Sequence, residues 1–198
     1  KQKCFIIKVK NKFESYWPQE SGGNFFSYIK KNKDIKKINI YADSLDFERD
    51  KLVDFLSQFI FGFNLKSYTF NKYKTLKKET IKQKIDFKVI TSIKEKIESN
   101  YKYYDAVKEG VFLTRDLVSE PPNVLNPEAY VKEIKKLSKF GLKVKSYNEK
   151  DLKKLGLNAL LGVGQGSANE TYLVTLEWKG KNNSLKKPLA FVGKGVCF

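Results

Sequence analysis

The chain has 198 residues, of which 41% are hydrophobic and 31% charged; that suits one large domain, or one small domain plus part of another, and excludes intrinsic disorder as a description of the whole. Its formal net charge is +17, it has no histidine and no methionine, and its two cysteines, Cys4 and Cys197, sit near opposite ends. The missing histidine removes every Ser-His or Cys-His nucleophile pair and any His-ligated zinc, and two distant cysteines form neither a disulfide framework nor a CxxC metal site.

In chain order, Cys4 to Val9 is a short apolar-rich run that reads as a strand. Trp17-Pro18 and Gly22-Gly23 mark loop, and a helix follows that ends near the basic cluster Lys30–Lys37. Lys37 to Ala42 alternates and predicts a strand. Asp46 starts a helix that brings Phe47, Leu52, Phe55, Leu56, Phe59 and Ile60 near one face, with Gly62 as its terminator. Lys66 to Lys78 mixes Tyr68, Phe70 and Tyr73 with lysines. It reads as a surface loop pinned by its aromatics, with base stacking and phosphate contact as the other reading.

Ile85 to Thr91 is the next strand, and Ser92 caps a long helix that Pro121-Pro122 must stop. Its length of about 27 residues gives a rod of about 40 Å, suited to connecting two domains. The expected division is an α/β domain over 1–91, a linker helix over 92–120 and a second α/β domain begun at 121–198. In that last part Asn126 is an N-cap with Pro127 at the first helical position, and Gly141 ends the helix. Leu142 to Tyr147 is a strand, Asn148 caps a short helix that Gly156 ends, and Tyr172 to Lys179 and Leu189 to Val192 are two more strands.

No apolar run approaches the ~20 residues of a membrane span, since Ser57, Gln58 and Asn64 interrupt the longest, Phe55 to Leu65. The first residues do not form a secretion signal, so a cytoplasmic location is expected. With no methionine anywhere, residue 1 is expected to be an internal position and the sequence a fragment. The positive charge is spread out, +10 over residues 1–100 (22 basic, 12 acidic) and +7 over 101–198 (17 basic, 10 acidic). Only Arg49 and Arg115 are arginines, the residue that forks onto guanine edges, so specific nucleic-acid readout is poorly supported. Abundant Lys, Asn, Ile, Phe and Tyr are what an AT-rich genome produces, and nonspecific attraction to nucleic-acid phosphates stays open.

Three glycine-bearing or thiol features bear on chemistry. Gly162-Val163-Gly164-Gln165-Gly166-Ser167 looks like a phosphate loop, but Ser167 stands where GxGxxG needs glycine and no Walker Lys follows; it reads as a glycine-rich turn. Lys194 follows the apolar run Leu189-Ala190-Phe191-Val192 and lies between Gly193 and Gly195, so it is either a snorkelling surface lysine or a functional amine. Cys197 reads as a core thiol with no base partner.

Glu120-Pro121-Pro122-Asn123, Asn126-Pro127-Glu128, Leu155-Gly156-Leu157, Gly162 to Ser167 and Val192-Gly193-Lys194-Gly195-Val196-Cys197-Phe198 together resemble consecutive signatures of the leucine (cytosol) aminopeptidase family. The resemblance covers roughly residues 105–198 closely, and residues 40–80 less so, through Phe61-Gly62-Phe63 and Tyr68 to Tyr73. It implies an N-terminal α/β domain, a long helix, and a catalytic α/β domain with two divalent metals, zinc or manganese. It further implies a cytoplasmic homo-hexamer releasing N-terminal residues, often leucine, from peptide substrates. Lys194 matches the family's lysine metal ligand. The next ligand in that pattern, an aspartate after Val-Cys-Phe, and those of an Asn-Thr-Asp-Ala-Glu-Gly-Arg motif are not among these residues, so the chain alone is expected to be inactive. Cys197 stands where the family more often has threonine or an aliphatic residue. The resemblance also keeps two other readings in view, a DNA-binding accessory and a non-catalytic oligomerisation module.

An amine ligates metal only when deprotonated, and lysine's ordinary pKa is about 10.4. Burial and neighbouring dications both lower it, which is the chemistry such a site would ask of Lys194.

Overall fold

The computed structural model describes residues 6–9, 14–32, 34–75, 85–180 and 187–197. They form two compact units, Lys1–Val118 and Ser119–Phe198. The architecture is α/β, with α1 (Trp17–Lys30), β1 (Lys37–Tyr41), α2 (Arg49–Ser67), β2 (Asp86–Ile90) and α3 (Lys94–Ser119) in the first part of the chain. The second unit holds α4 (Pro127–Lys135), a 3₁₀ turn (Lys136–Phe140), β3 (Lys143–Tyr147), α5 (Glu149–Lys154), α6 (Asn158–Gly164) and β4 (Leu173–Glu177).

In the first unit β1 and β2 run parallel, with Ile38 opposite Phe87 and Ile40 opposite Val89. Those four side chains turn inward, while Lys37, Asn39, Tyr41, Asp86, Lys88 and Ile90 face out. Alternation at period two therefore gives the sheet one wet face and one face covered by helices. Parallel neighbours need a crossover, and α2 lies between these strands in the chain. Leu52, Val53, Phe55, Leu56, Phe59, Phe61 and Phe63 of α2 are all buried, so α2 is the central core element. Each buried side chain of that size contributes roughly 1.5–3 kcal/mol. At the carboxyl ends of the strands Asp43 closes the unit: it accepts from the Thr91 hydroxyl at 2.6 Å and from the Ser92 amide at 2.9 and 3.1 Å.

Trp17-Pro18 and Gly22-Gly23 are not loop; they lie in α1, with Pro18 in its first turn where a missing N–H costs nothing. Gly22 is glycine because α2 passes too close for a side chain: an added Cβ would overlap the Phe59 carbonyl oxygen and stand 3.0 Å from the Phe63 nitrogen. Gly62 likewise does not end its helix, which continues to Ser67. The helix opens at Arg49 and not at Asp46, with Glu48 as its N-cap residue. Cys4 and Phe5 of the first expected strand lie outside the described residues, and residues 6–9 are not in a strand.

In the second unit β3 pairs antiparallel with β4, Val144 opposite Leu176 and Ser146 opposite Val174. The Asn126 side chain accepts from the Ala129 amide at 2.9 Å, as an N-cap with Pro127 at the first helical position should. Asn148 and Asp151 form a reciprocal capping box on α5. Gly141 takes φ 89°, a left-handed conformation that glycine adopts without strain, and so turns the 3₁₀ segment into β3. The expected strand Leu189 to Val192 does not form. Residues 187–196 are exposed, with Phe191 90% and Val192 98% accessible, and no described strand offers them a hydrogen-bonding ladder.

Candidate functional site

The residue singled out from sequence, Lys194, lies beyond β4 in an exposed stretch. It is not at the end of a buried strand, because residues 188–197 form no strand. Of its flanking glycines, Gly193 has nothing within 4 Å of where a Cβ would stand, whereas Gly195 is pressed against the ring of Tyr130 on α4. Cys197 is half-buried, and burial pushes its thiol pKa up, which makes it a packing thiol and not an activated nucleophile. Among the described residues no group of three or more His, Cys, Asp or Glu is gathered as a metal cluster. A pair of divalent cations needs several oxygen or nitrogen donors, and Lys194 is a single nitrogen donor.

In the glycine-rich segment Gly164 serves packing. Gly162 and Gly164 belong to α6, which the sequence reading missed by taking this stretch as a turn. A Cβ on Gly164 would overlap the hydroxyl of Thr171, whose amide in turn donates to Glu149 at 3.1 Å. Ser167 accepts from the Asn169 amide at 3.0 Å. These contacts join α6 and α5 to the start of β4 and give Gly164 a structural reason to be small, whereas Gly162 and Gly166 have nothing within 4 Å of where a Cβ would stand.

The long helix expected as a linker meets α2 through side chains along its length. Tyr104 donates to Asp54 at 3.1 Å, Asn100 to Ser57 at 3.1 Å, Asn64 to Tyr101 at 2.6 Å and Tyr68 to Asp116 at 2.8 Å. Arg115 donates to the Leu65 carbonyl at 2.6 Å and lies 5.4 Å over the Tyr68 ring, which also meets Phe112. Tyr68 is thus pinned onto α3, as the surface-loop reading of its segment expects. The end of that segment, residues 76–78, lies outside the described residues. Arg115 instead borders a cleft of about 410 Å³ with Tyr16, Gln19, Asn24, Leu65 and Lys66. No described helix is long and apolar enough to cross a membrane.

Solved structures share this arrangement of elements. The chain aligns with a tomato leucine aminopeptidase mutant at TM-score 0.69 and 22% identity, covering 84% of this chain and 34% of that one. It aligns with the bottromycin maturation enzyme BotP, solved in complex with Mn, at TM-score 0.66 and 21% identity, covering 85% and 34%. The fold is that of an α/β N-terminal domain followed by the opening of a peptidase catalytic domain. Two family models match in order: the cytosol aminopeptidase family N-terminal domain over residues 11–77 and its catalytic domain over residues 112–198. The protein named "Probable cytosol aminopeptidase" in Phytoplasma mali is 42% identical over 183 residues, 90% of this chain and 36% of its own length. Its counterpart of the same name in Agrobacterium fabrum is 39% identical over 181 residues, 90% of this chain and 35% of its own length. The chain belongs to the cytosol aminopeptidase family, and it spans about a third of the length of these relatives.

Proposed function

We propose that these residues are the N-terminal domain, connecting helix and catalytic-domain opening of a metal-dependent aminopeptidase that releases N-terminal residues, preferentially leucine, from peptides. The observation that carries the reading is the ordered match of both family domains across one chain, with Gly193-Lys194-Gly195 inside the catalytic match. Lys194 is assigned as one ligand to a divalent ion, manganese or zinc, two of which would be held in the complete enzyme. Bound metal would supply Lewis-acid polarisation of a peptide carbonyl. What this chain contributes is a single amine on a glycine-flanked backbone. A cytoplasmic homo-hexamer is the assembly that accompanies this reading, with residues 1–91 as the N-terminal domain and 92–120 as the linker.

Two assays test it. The 198 residues alone, supplied with manganese or zinc, should leave a leucyl substrate uncleaved, because one ligand cannot organise two metals. Metal-dependent hydrolysis by the purified chain would overturn that part. In a complete enzyme carrying these residues, Lys194→Ala should weaken one metal and lower kcat by more than the about 10–100-fold that loss of a supporting residue costs. A metal-saturated Lys194→Ala enzyme with full kcat would remove Lys194 from the site.

A further inference from the structure

Lys194 belongs to a stretch without helix or strand, yet that stretch is seated at one point. A Cβ built on Gly195 would overlap Cε1 of Tyr130, stand 3.0 Å from its Cδ1 and lie 3.5 Å from its Cζ. On the other side of Lys194, Gly193 faces open space. We infer that Tyr130 is a positioning residue for Lys194: its ring is the seat on which the Gly195 backbone rests, and it fixes where the lysine leaves the chain. The inference rests on the metal-ligand role proposed for Lys194 and adds to it a residue that touches neither metal nor substrate.

The seat is rigid for reasons built into α4. Asn126 caps the helix, Pro127 presets its first turn, the Tyr130 amide donates to the Asn126 carbonyl at 2.9 Å, and the next residue, Val131, is buried. A ring on such a helix has few torsions to lose, whereas the lysine it positions has a long flexible stem. Fixing the backbone beside Lys194 removes that part of the search, and a displacement of about 1 Å there would carry directly to the amine. Glycine at 195 suits the same contact, since a Cβ there could enter only if the Tyr130 ring gave way. The contact is made by ring carbons and not by the hydroxyl, so phenylalanine should serve as well.

The test is solution NMR on the 198-residue chain. The ring face should shift the α protons of Gly195 upfield, and the Lys194 and Gly195 amides should show order near that of rigid backbone, about 0.85. Tyr130→Phe should keep both signatures. Tyr130→Ala should abolish the upfield shift and drop the order at Lys194 below about 0.6, while the β3 and β4 amides keep their positions. Gly195→Ala attacks the same contact from the other side and should loosen Lys194 equally, which decides the matter if Tyr130→Ala fails to fold. Ordinary Gly195 α-proton shifts in the wild type, or undiminished order at Lys194 in the variants, would overturn the inference. Neither result bears on metal ligation, which the Lys194→Ala enzyme tests separately; full kcat there would leave the ring seat standing and remove only its purpose.

Discussion

Gly62 of α2 lies against the backbone of Gln19 on α1, so that a methyl group at 62 would overlap the Gln19 carbonyl oxygen and stand 2.6 Å from its carbon. Gly22 makes the converse approach to Phe59. The obstructing atoms are backbone in both cases, so the helices themselves must separate to admit a Cβ. Gly62→Ala and Gly22→Ala should each destabilise the protein by at least the ~1–3 kcal/mol of a typical overpacking, despite alanine's better helix propensity. Gly23→Ala is the control, since its nearest neighbours, the Gly62 carbonyl oxygen and Lys66 Cβ, stand at 3.6 and 3.8 Å. It should be neutral or slightly stabilising. Urea melts of the three variants check this, and a fully stable Gly62→Ala would mean the helices cross further apart.

These glycines also show where sequence reading succeeds and where it stops. Asn126-Pro127, Asn148 and Gly141 act through neighbours within a few residues, and each lies in the structure where its local chemistry predicts. The strands at Lys37 and Asp86 are legible because their alternation matches a one-sided sheet. Gly22 and Gly62 look like loop and terminator because glycine usually marks them; here their partners lie about forty residues away, and tertiary contact overrides propensity. The run Leu189 to Val192 has the composition of a strand, but a strand needs a ladder partner that composition cannot supply. Lys194 stands out in the sequence between its two glycines, as either a surface lysine or a functional amine, whereas Tyr130, sixty-four positions earlier, carries no local signal at all.

Tyr104 gives a pH dependence with a defined sign. Burial, followed by the adjacent Asp54 carboxylate that accepts its hydroxyl, pushes its pKa from about 10 up to about 12. A phenol whose folded pKa is raised stays neutral in the folded state while the unfolded chain ionises, so its contribution is complete below pH 10 and is lost as pH rises through about 12. Tyr101, raised by burial, works in the same direction. Unfolding midpoints should therefore fall between pH 10 and 12, and Tyr104→Phe should flatten that fall. Phenolate absorbance gives the complementary reading: a late-titrating tyrosine should be present in the folded wild type and missing from the variant.

The α5 cap can be tested singly. Asn148 accepts from the Asp151 amide at 3.1 Å, and Asp151 accepts back from the Asn148 amide at 3.4 Å. Asn148→Ala leaves one first-turn donor without a side-chain acceptor and should cost about 1 kcal/mol, whereas Asn148→Ser should restore most of it. Loss of α5 amide protection in the alanine variant alone is the expected outcome; equal loss in both would place the effect in packing and not in the cap.

Stability is expected to be distributed unevenly along the chain. Among the described residues, thirteen of the fifteen buried hydrophobics lie between Phe26 and Ile97, and the second unit contributes only Val131 and Leu152. Trp178 and Leu176 on β4 and just beyond it remain 64% and 45% exposed. Since burial of apolar area is the main favourable term, and conformational entropy is lost throughout, the second unit gains far less per ordered residue than the first. Local opening free energies should follow that division. In native-state hydrogen exchange on the 198-residue chain, the amides of α2 should be the slowest and should exchange together near the global limit. Those of β3 and β4 should exchange much faster, through openings that leave α2 protected. Equal protection of α2 and β4 would mean that the exposed face of the second unit is covered in solution, and chemical crosslinking of the same sample would then show whether a second copy covers it.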